Sequence, residues 1–342
     1  MAAMIHEAVV VGAGVSGLAL ARGLRSGGVE PLLLERARGV GGRCATRRFE
    51  GQPADLGPMF FHGQDPAFLA ALDEVAGVTV LDGWPARVRG EGQPCQPGAL
   101  APHIRRFAFA EGLNAFAKHL AAGLDLRQQT TVARIRPVDA GFEVRCADGA
   151  VFRCRDLVLA LALEETRILL DTLPPLAHLD SVRALLGLFF SVPSLTVIAG
   201  YPPGTELPWD LLYPEHSDVL QLIAQDSAKR RDPRFLTLVC QARPRWSRAR
   251  VDQPMVDWSP ELVEAAGAVL GPWALRPLWT YPHRWRYARV DRSCELAAPV
   301  RVTLDQGQTL GVAGDLFAPG GGVQAAWLSG ARLAEAMRKE CP

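Results

Sequence analysis

The sequence predicts an α/β protein in which both ends of the chain build one largely parallel sheet, while the middle forms a second, mixed α+β domain. Three observations carry this prediction. A glycine-rich turn joins a buried strand to a helix within residues 9–24. A short apolar strand, a glycine run and a helix follow within residues 310–335. The intervening residues 164–295 are rich in Pro, Trp and short strand-like runs.

Composition and charge narrow the class of protein. The chain has 342 residues, 49% of them apolar, which is more than one ordinary core holds, so two domains are expected. A net charge of +1 gives no electrostatic argument for a nucleic acid or a membrane surface as partner. No apolar run reaches the roughly 18 residues of a spanning helix, and residues 1–7 are too polar for a secretory signal. The 7 cysteines include no C-x-x-C motif, so we expect reduced thiols in a cytoplasmic protein.

The N-terminal glycine turn fits the dinucleotide fingerprint G-x-G-x-x-G. Gly12 would make the tight turn, Gly14 would let the backbone approach a pyrophosphate, and Gly17 would let the helix pack against the sheet. The helix N-terminus would offer unpaired N–H groups to the phosphates. Glu35 ends the next apolar strand, where a carboxylate accepts hydrogen bonds from ribose hydroxyls. These features predict a Rossmann-like unit that binds a dinucleotide; a purely structural βαβ unit is the alternative.

Two further glycine-rich segments extend the fingerprint. The run G-G-R at 41–43 lets the backbone fold over a ligand at Gly42 and brings Arg43 to a phosphate. Near the end of the chain, Gly314 and Asp315 follow an apolar strand, and Gly322 precedes the last helix. A positive helix end at that place would stabilise negative charge on a bound cofactor. A glycine-capped C-terminal helix without a ligand is the alternative.

Periodicity predicts the remaining elements. The expected helices span residues 66–75, 111–122 and 260–270, and the expected strands span 185–192, 219–225 and 235–242. Residues 131–161 are expected to form a hairpin whose last strand returns to the parallel sheet. His283 is expected either to orient a substrate carboxamide or to be a loop histidine without function.

The fingerprint, the terminal Glu35, the G-G-R run and the pair Asp55-x-Gly57 together resemble the flavin amine oxidase superfamily. The resemblance implies a topology like that of p-hydroxybenzoate hydroxylase, with non-covalently bound FAD. It implies an FAD-binding domain of residues 1–83, 106–163 and 296–342, and a substrate domain of residues 84–105 and 164–295. The residues expected at the cofactor are Gly12, Ala13, Gly14, Val15, Ser16, Gly17, Glu35, Arg36, Gly42, Arg43, Val132, Gly314, Asp315, Gly322 and Val323.

Four longer segments resemble the renalase-type proteins, especially their bacterial members. These segments are GGRCATRR with DLGPMFFHGQDPAF, the run EGLN at 111–114, QDSAKR at 225–230, and HRWRYA at 283–288 ahead of GDLFAPGGGVQAAWLSG. The resemblance implies that 2- and 6-dihydro isomers of NAD(P) give a hydride to the flavin, which dioxygen reoxidises to yield hydrogen peroxide. The chain departs from the family at residues 58–60, where P-M-F replaces A-Q-Y, and this segment would face the substrate.

The substrate side of such a site needs few ionisable groups. Hydride transfer from a dihydropyridine requires no strong base, so Phe61, His283 and Trp285 are expected to position the substrate ring. The flavin-side lysine of many amine oxidases has no evident counterpart, because Lys229 lies in the inserted domain and the other lysines lie on surface helices. No metal is expected. An amine oxidase or desaturase-like enzyme, and a non-catalytic FAD-binding interaction protein, are the alternatives.

Overall fold

The structure is a computed structural model that describes residues 5–92, 97–139, 141–291, 295–304 and 306–338. In this part of the chain the strands are, in order, β1 (Ile5–Val11), β2 (Leu32–Leu34), β3 (Thr46–Phe49), β4 (Gln52–Asp55), β5 (Phe61–Gly63), β6 (Val80–Asp82), β7 (Val88–Arg89), β8 (Arg105–Phe109), β9 (Asp125–Arg127), β10 (Val132–Val138), β11 (Gly141–Cys146), β12 (Val151–Leu159), β13 (Ser191–Tyr201), β14 (Leu211–Leu212), β15 (Leu220–Gln225), β16 (Leu236–Ala242), β17 (Trp279–Val290), β18 (Val300–Thr303) and β19 (Thr309–Val312). The α-helices are α1 (Val15–Ser26), α2 (Pro66–Asp73), α3 (Asn114–Ala121), α4 (Leu163–Leu170), α5 (Ala177–Gly187), α6 (Pro244–Arg248), α7 (Met255–Leu270) and α8 (Gly322–Arg338).

The chain divides into two compact units, each built from separate segments. Unit 1 comprises Met1–Gly42, Phe116–Ser191 and Arg289–Pro342, and unit 2 comprises Arg43–Ala115 and Val192–Ala288. These boundaries differ from those expected from the sequence. Strands β3 to β6 and β8 pair among themselves, so the segment that carries them falls in unit 2. Helices α4 and α5 bury their apolar sides on the core of the parallel sheet, which places them in unit 1.

The core of unit 1 is a sheet with β1 at its centre. Strand β1 pairs in parallel with β2 and β12, β9 pairs in parallel with β2, and β19 runs parallel to the second half of β12. The first half of β12 also pairs antiparallel with β11, which in turn pairs antiparallel with β10. Helices cover the parallel part, so Val9 and Val10 are fully buried, as expected for continuous apolar strands in such sheets. The predicted α/β class is confirmed.

Unit 2 is a mixed α+β structure. Its largest sheet has the strand order β17-β13-β16-β15-β14-β7, and a second sheet has the order β5-β8-β6. Helix α7 packs Trp258 and Leu262 into a core that also contains Ile223 and Leu238 of the large sheet. The hairpin β3–β4 carries the residues between the G-G-R run and Asp55.

Several predicted elements match and others do not. The strands expected at 219–225 and 235–242 are confirmed to within one residue at their starts. The strand expected at 185–192 is wrong: residues up to Gly187 form α5, because Leu179, Val182 and Leu186 recur at helical spacing and are all buried. His283 lies within β17, which excludes the alternative of a loop histidine.

Two further predictions concern the state of the cysteines and membrane-spanning helices. The thiols of Cys44, Cys146, Cys154 and Cys240 are free and buried, as expected. The remaining cysteines, at positions 95, 294 and 341, lie outside the described residues. Within the described residues, no helix has the length and apolar character required to cross a membrane.

Candidate functional site

The glycine turn between β1 and α1 has the geometry that the fingerprint predicts. Gly12 has a φ of +104°, and a Cβ on it would lie 2.5 Å from the carbonyl oxygen of Ala160. A Cβ on Gly17 would lie 2.1 Å from the carbonyl oxygen of Gly12. These two glycines are therefore required by packing within unit 1. Gly14 is different, because a Cβ there would meet no atom within 4 Å.

The open side of Gly14 lies at the N-terminus of α1. Gly14 is the N-cap, so no side chain caps the helix, and the first turn contains no acidic residue. The turn's other members, Ala13, Val15 and Ser16, are buried, so the turn offers backbone N–H groups to its surroundings. The partial positive charge of the helix end is thus left without a side-chain counter-charge on the helix itself. Such a helix end favours an anion.

Glu35 joins the end of β2 to the glycine turn. Glu35 as a residue is 9% exposed, and one carboxylate oxygen accepts a hydrogen bond from the Ala13 N–H at 2.8 Å. The other oxygen accepts from the Ala37 N–H, also at 2.8 Å. An ionised carboxylate has about four lone-pair positions, so each oxygen retains capacity for one further donor such as a ribose hydroxyl.

The first two residues of the G-G-R run lie across the glycine turn. The N–H of Gly41 donates to the Ala13 carbonyl at 2.9 Å, and Gly14 and Gly41 form a parallel bridge. Gly42 has a φ of +52°, and a Cβ on it would lie 3.5 Å from the Gly14 Cα. The sequence therefore brings two predicted cofactor segments, 12–17 and 41–42, into direct contact.

Other predicted cofactor residues of unit 1 lie around this turn. Arg36 is exposed and forms an ion pair with Glu165. The N–H of Thr130 donates to the carbonyl of Glu35 at 2.9 Å, which places the start of β10, at Val132, next to the end of β2. That Arg36 and Val132 contact the cofactor stays a prediction.

The C-terminal predicted residues follow β19 and begin α8. Gly314 donates its N–H to the Ser329 hydroxyl of α8 at 3.1 Å, and Asp315 lines an open concavity of unit 1 next to it. Helix α8 begins at Gly322, with Val323 in its first turn, and packs along α1. The two helices approach closely at Gly330, where a Cβ would lie 2.1 Å from the carbonyl oxygen of Ser16.

In unit 2, Asp55 belongs to a buried charge cluster that the sequence did not reveal. We define this cluster by four residues: Asp55, Asp226, Lys229 and Arg230. The Lys229 ammonium lies 2.5 Å from Asp55 and 2.6 Å from Asp226, and Arg230 lies 2.6 Å from Asp226. All four side chains are 5% exposed or less. Burial raises the pKa of the Asp55 carboxyl, but Lys229, Arg230 and hydrogen bonds outweigh it, so its pKa lies below the usual range.

The cluster fixes the segment that follows Asp55. Lys229 also donates to the Met59 carbonyl at 3.0 Å. The carbonyls of Leu56 and Gly57 accept from Trp285 at 2.9 Å and from Gln241 at 2.6 Å. A Cβ on Gly57 would lie 2.0 Å from the carbonyl oxygen of Arg43, so only glycine fits this contact with the third residue of the G-G-R run. Asp55-x-Gly57 thus has a packing role within unit 2.

Strand β17 presents a row of aromatic residues on one face. Successive side chains alternate between faces, so one face carries Trp279, Tyr281, His283, Trp285 and Tyr287. His283 lies with its ring centre 4.2 Å from that of Trp285 and 6.4 Å from that of Tyr281. Its Nε2 atom is buried without a hydrogen-bond partner. Burial, followed by the charge of Arg47, lowers the pKa of His283, so the ring is neutral near pH 7.

The predicted substrate residues therefore separate into two kinds. His283 and Trp285 are half-buried neighbours on the aromatic face of β17. Phe61 is completely buried and packs edge-on against Phe107 and Phe109, which makes it a core residue in this structure. Sequence reasoning overlooked β17 and the charge cluster. The aromatic alternation at 279–287 and the spacing of Asp226, Lys229 and Arg230 were the available signals.

Two family models match the sequence. Residues 10–75 match the NAD(P)-binding Rossmann-like domain, and residues 79–338 match the flavin-containing amine oxidoreductases. The second match covers more than half of the chain. The chain belongs to this family. Membership confirms the predicted superfamily and a flavin as the cofactor.

Similarity to individual proteins is local in sequence and complete in fold. A segment of 69 residues, 20% of the chain, is 46% identical to a putative flavin-containing monoamine oxidase of Mycobacterium tuberculosis but spans only 15% of that protein. A segment of 61 residues, 18% of the chain, is 36% identical to a pseudooxynicotine dehydrogenase of a Pseudomonas species and spans 12% of it. Cyclohexylamine oxidase from Brevibacterium oxydans matches at a TM-score of 0.73 with 14% identity, over 98% of this chain and 99% of that one. The structure of a putrescine oxidase double mutant matches at a TM-score of 0.72 with 15% identity, over 99% of this chain and 100% of that one. At such identities the likeness shows the fold.

The residues of unit 1 fit a dinucleotide cofactor. Gly14 has open space where a Cβ would otherwise project, beside a helix end whose first turn contains no acidic residue. The Glu35 carboxylate at the end of β2 can accept further hydrogen bonds, and Gly42 lies next to Gly14 of the glycine turn. Phosphate at the helix end and ribose at the carboxylate is the arrangement typical of Rossmann-like dinucleotide sites.

Proposed function

We propose that the protein is an FAD-dependent oxidase and that unit 1 holds FAD without a covalent bond. The backbone at Gly14 and the N-terminus of α1 would bind the pyrophosphate, and Glu35 would bind the ribose. When bound, FAD supplies a two-electron acceptor, which takes a hydride and is reoxidised by dioxygen with release of hydrogen peroxide. Burial raises the pKa of Cys44 and of Cys240 to about 12, which supports non-covalent binding because neither thiol is a ready nucleophile.

The proposed substrates are isomeric dihydronicotinamides, the 2- and 6-dihydro forms of NAD(P). The observation that carries this proposal is the aromatic face of β17, which contains no carboxylate and holds His283 neutral. Flat aromatic rings bind a flat dihydropyridine, and loss of hydride from such a ring requires no base. Lys118 is exposed and Lys229 is buried in ion pairs, so among the described residues no lysine is both buried and unpaired.

Oxidation of an amine is the second candidate. It is favoured by the names of the similar proteins, which include a monoamine oxidase and a cyclohexylamine oxidase. The third candidate, a non-catalytic FAD-binding protein, predicts that no small molecule transfers electrons to the bound flavin.

One experiment separates the three candidates. The purified holoenzyme is mixed without oxygen with 2-, 4- and 6-dihydro-NAD(P) and, separately, with putrescine, cyclohexylamine and an aromatic monoamine, while the absorbance of oxidised flavin is followed. The proposal predicts rapid loss of absorbance with the 2- or 6-dihydro isomer and none with the amines. Rapid loss with an amine alone would replace the proposed substrate by the second candidate, and no loss with any compound would favour the third.

The role of Glu35 gives a test of the cofactor site. Glu35→Ala is expected to lower FAD affinity about ten- to a hundredfold, because charge-assisted hydrogen bonds contribute roughly 1.5–3 kcal/mol. FAD is quantified in the supernatant after acid precipitation of extensively dialysed protein. Flavin in the wild-type supernatant also checks the absence of a covalent bond. Glu30→Ala, which removes the exposed partner of Arg25, is the matched control. Equal flavin retention by Glu35→Ala and wild type would exclude the ribose role.

A further inference from the structure

Arg47 stands beside the aromatic face of β17 without a counter-charge. Its Nη1 donates to the Tyr281 hydroxyl at 2.6 Å, and its guanidinium carbon lies 4.3 Å from the centre of the Tyr281 ring. These contacts, all within unit 2, hold the planar guanidinium against the tyrosine. The side chain is exposed, so its remaining N–H groups are accessible to a ligand.

The missing counter-charge distinguishes Arg47 from several other exposed arginines. Arg136 and Arg145 share the carboxylate of Glu143, and Arg87 pairs with Asp210. Among the described residues, Arg47 has no carboxylate partner within ion-pair distance. Its neighbours on β17 are Tyr281, whose hydroxyl accepts its hydrogen bond, and His283, and the strand contains no carboxylate. This end of the aromatic face is therefore positive.

We propose that Arg47 binds a phosphate group of the substrate and so selects nicotinamide nucleotides over protonated amines. The proposal rests on the proposed function, in which β17 contacts the substrate ring. A guanidinium offers paired N–H donors whose geometry matches phosphate, and the tyrosine limits the conformations that it must lose on binding. An unpaired cation at the same place repels the ammonium group of an amine. His283 cannot substitute for this charge, because it is neutral.

The test compares two substrates that differ in one phosphate. The apparent Kd for flavin reduction is measured in stopped flow with the 2-dihydro mononucleotide and with the corresponding 2-dihydro riboside, which lacks phosphate. Arg47→Gln should raise the Kd for the mononucleotide about ten- to a hundredfold more than that for the riboside. Arg47→Lys should recover part of the preference. Arg48→Gln, on the opposite face of β3, removes the same charge and should keep the preference of the wild type.

A binding measurement keeps this test independent of turnover. Inorganic pyrophosphate is titrated into each holoenzyme by calorimetry, and Arg47→Gln should bind it at least about tenfold more weakly than Arg48→Gln. Equal binding by the two variants, or an equal rise in Kd for mononucleotide and riboside, overturns the role of Arg47. Failure of every dihydronicotinamide to reduce the wild type would instead remove the proposed function, and the pyrophosphate titration would still decide whether Arg47 binds phosphate.

Discussion

Lys229→Met is expected to lower the free energy of unfolding by about 3–5 kcal/mol, because it removes the cation that lies between two buried carboxylates. Lys229 is completely buried, and its ammonium contacts Asp55, Asp226 and the Met59 carbonyl. It also lies 4.9 Å from the centre of the Trp84 ring. Without it, Arg230 alone faces two negative charges in a region closed to water. Urea titration monitored by tryptophan fluorescence measures the change.

Two control variants separate charge from size. Lys118→Met makes the same substitution at an exposed position of α3 and should change stability by less than about 0.5 kcal/mol. Asp226→Asn combined with Lys229→Met removes one charge of each sign and should be less destabilised than Lys229→Met alone. If the double variant loses as much stability as the two single variants together, side-chain packing, and not charge pairing, accounts for the destabilisation.

The difference in the free energy of unfolding between the wild type and Lys229→Met is expected to depend on pH because of Asp55. Its pKa in the folded protein lies below the unfolded value of about 3.9. A depressed carboxyl pKa gives stability that is fully present above the unfolded pKa and is lost as pH falls through the folded pKa. The gap in stability between wild type and Lys229→Met should therefore be largest near neutral pH and narrow as pH falls below about 4.

Local rules allowed the cofactor half of the candidate site to be predicted from sequence. Gly17 packs against the backbone of Gly12, five positions earlier, so a short motif contains the necessary information, although Gly12 also packs against the distant Ala160 carbonyl that follows β12. The Glu35 carboxylate lies at the end of β2, which is next to β1 in the sheet. Neighbouring strands of a βαβ unit bring such residues together without reference to the rest of the chain.

The substrate half could not be predicted in the same way, because its contacts join distant segments. Lys229 meets Asp55 across 174 positions, and Arg47 meets Tyr281 across 234. No local pattern specifies either pairing. In β17 the aromatic residues alternate with Pro282, Arg284 and Arg286. This proline and these arginines obscured the strand pattern. For Phe61 the sequence predicted a contact with the substrate, but the side chain is buried in the core.

Gly14→Ala is expected to separate cofactor binding from folding. A Cβ at this position meets no atom within 4 Å, and Gly14 has an extended backbone with a φ of −72° that alanine also adopts. The apoprotein should therefore lose no more than about 1 kcal/mol, the usual cost of a weaker N-cap. If the cofactor's pyrophosphate occupies the open space, the added methyl group forces it away from the helix end. Overpacking of this kind costs about 1–3 kcal/mol, so FAD affinity should fall roughly five- to a hundredfold.

Alanine variants of the neighbouring glycines serve as controls for this prediction. Gly12→Ala and Gly17→Ala place a Cβ 2.5 Å and 2.1 Å from backbone oxygens, so both should destabilise the apoprotein itself. Gly187→Ala, at an exposed position of α5 that is also free of contacts, should affect neither folding nor FAD. Thermal unfolding of the apoproteins and FAD titration by fluorescence quenching distinguish the three classes. Because only a ligand can make the open space at Gly14 restrictive, a Gly14→Ala protein that binds FAD as tightly as the wild type would place the pyrophosphate elsewhere.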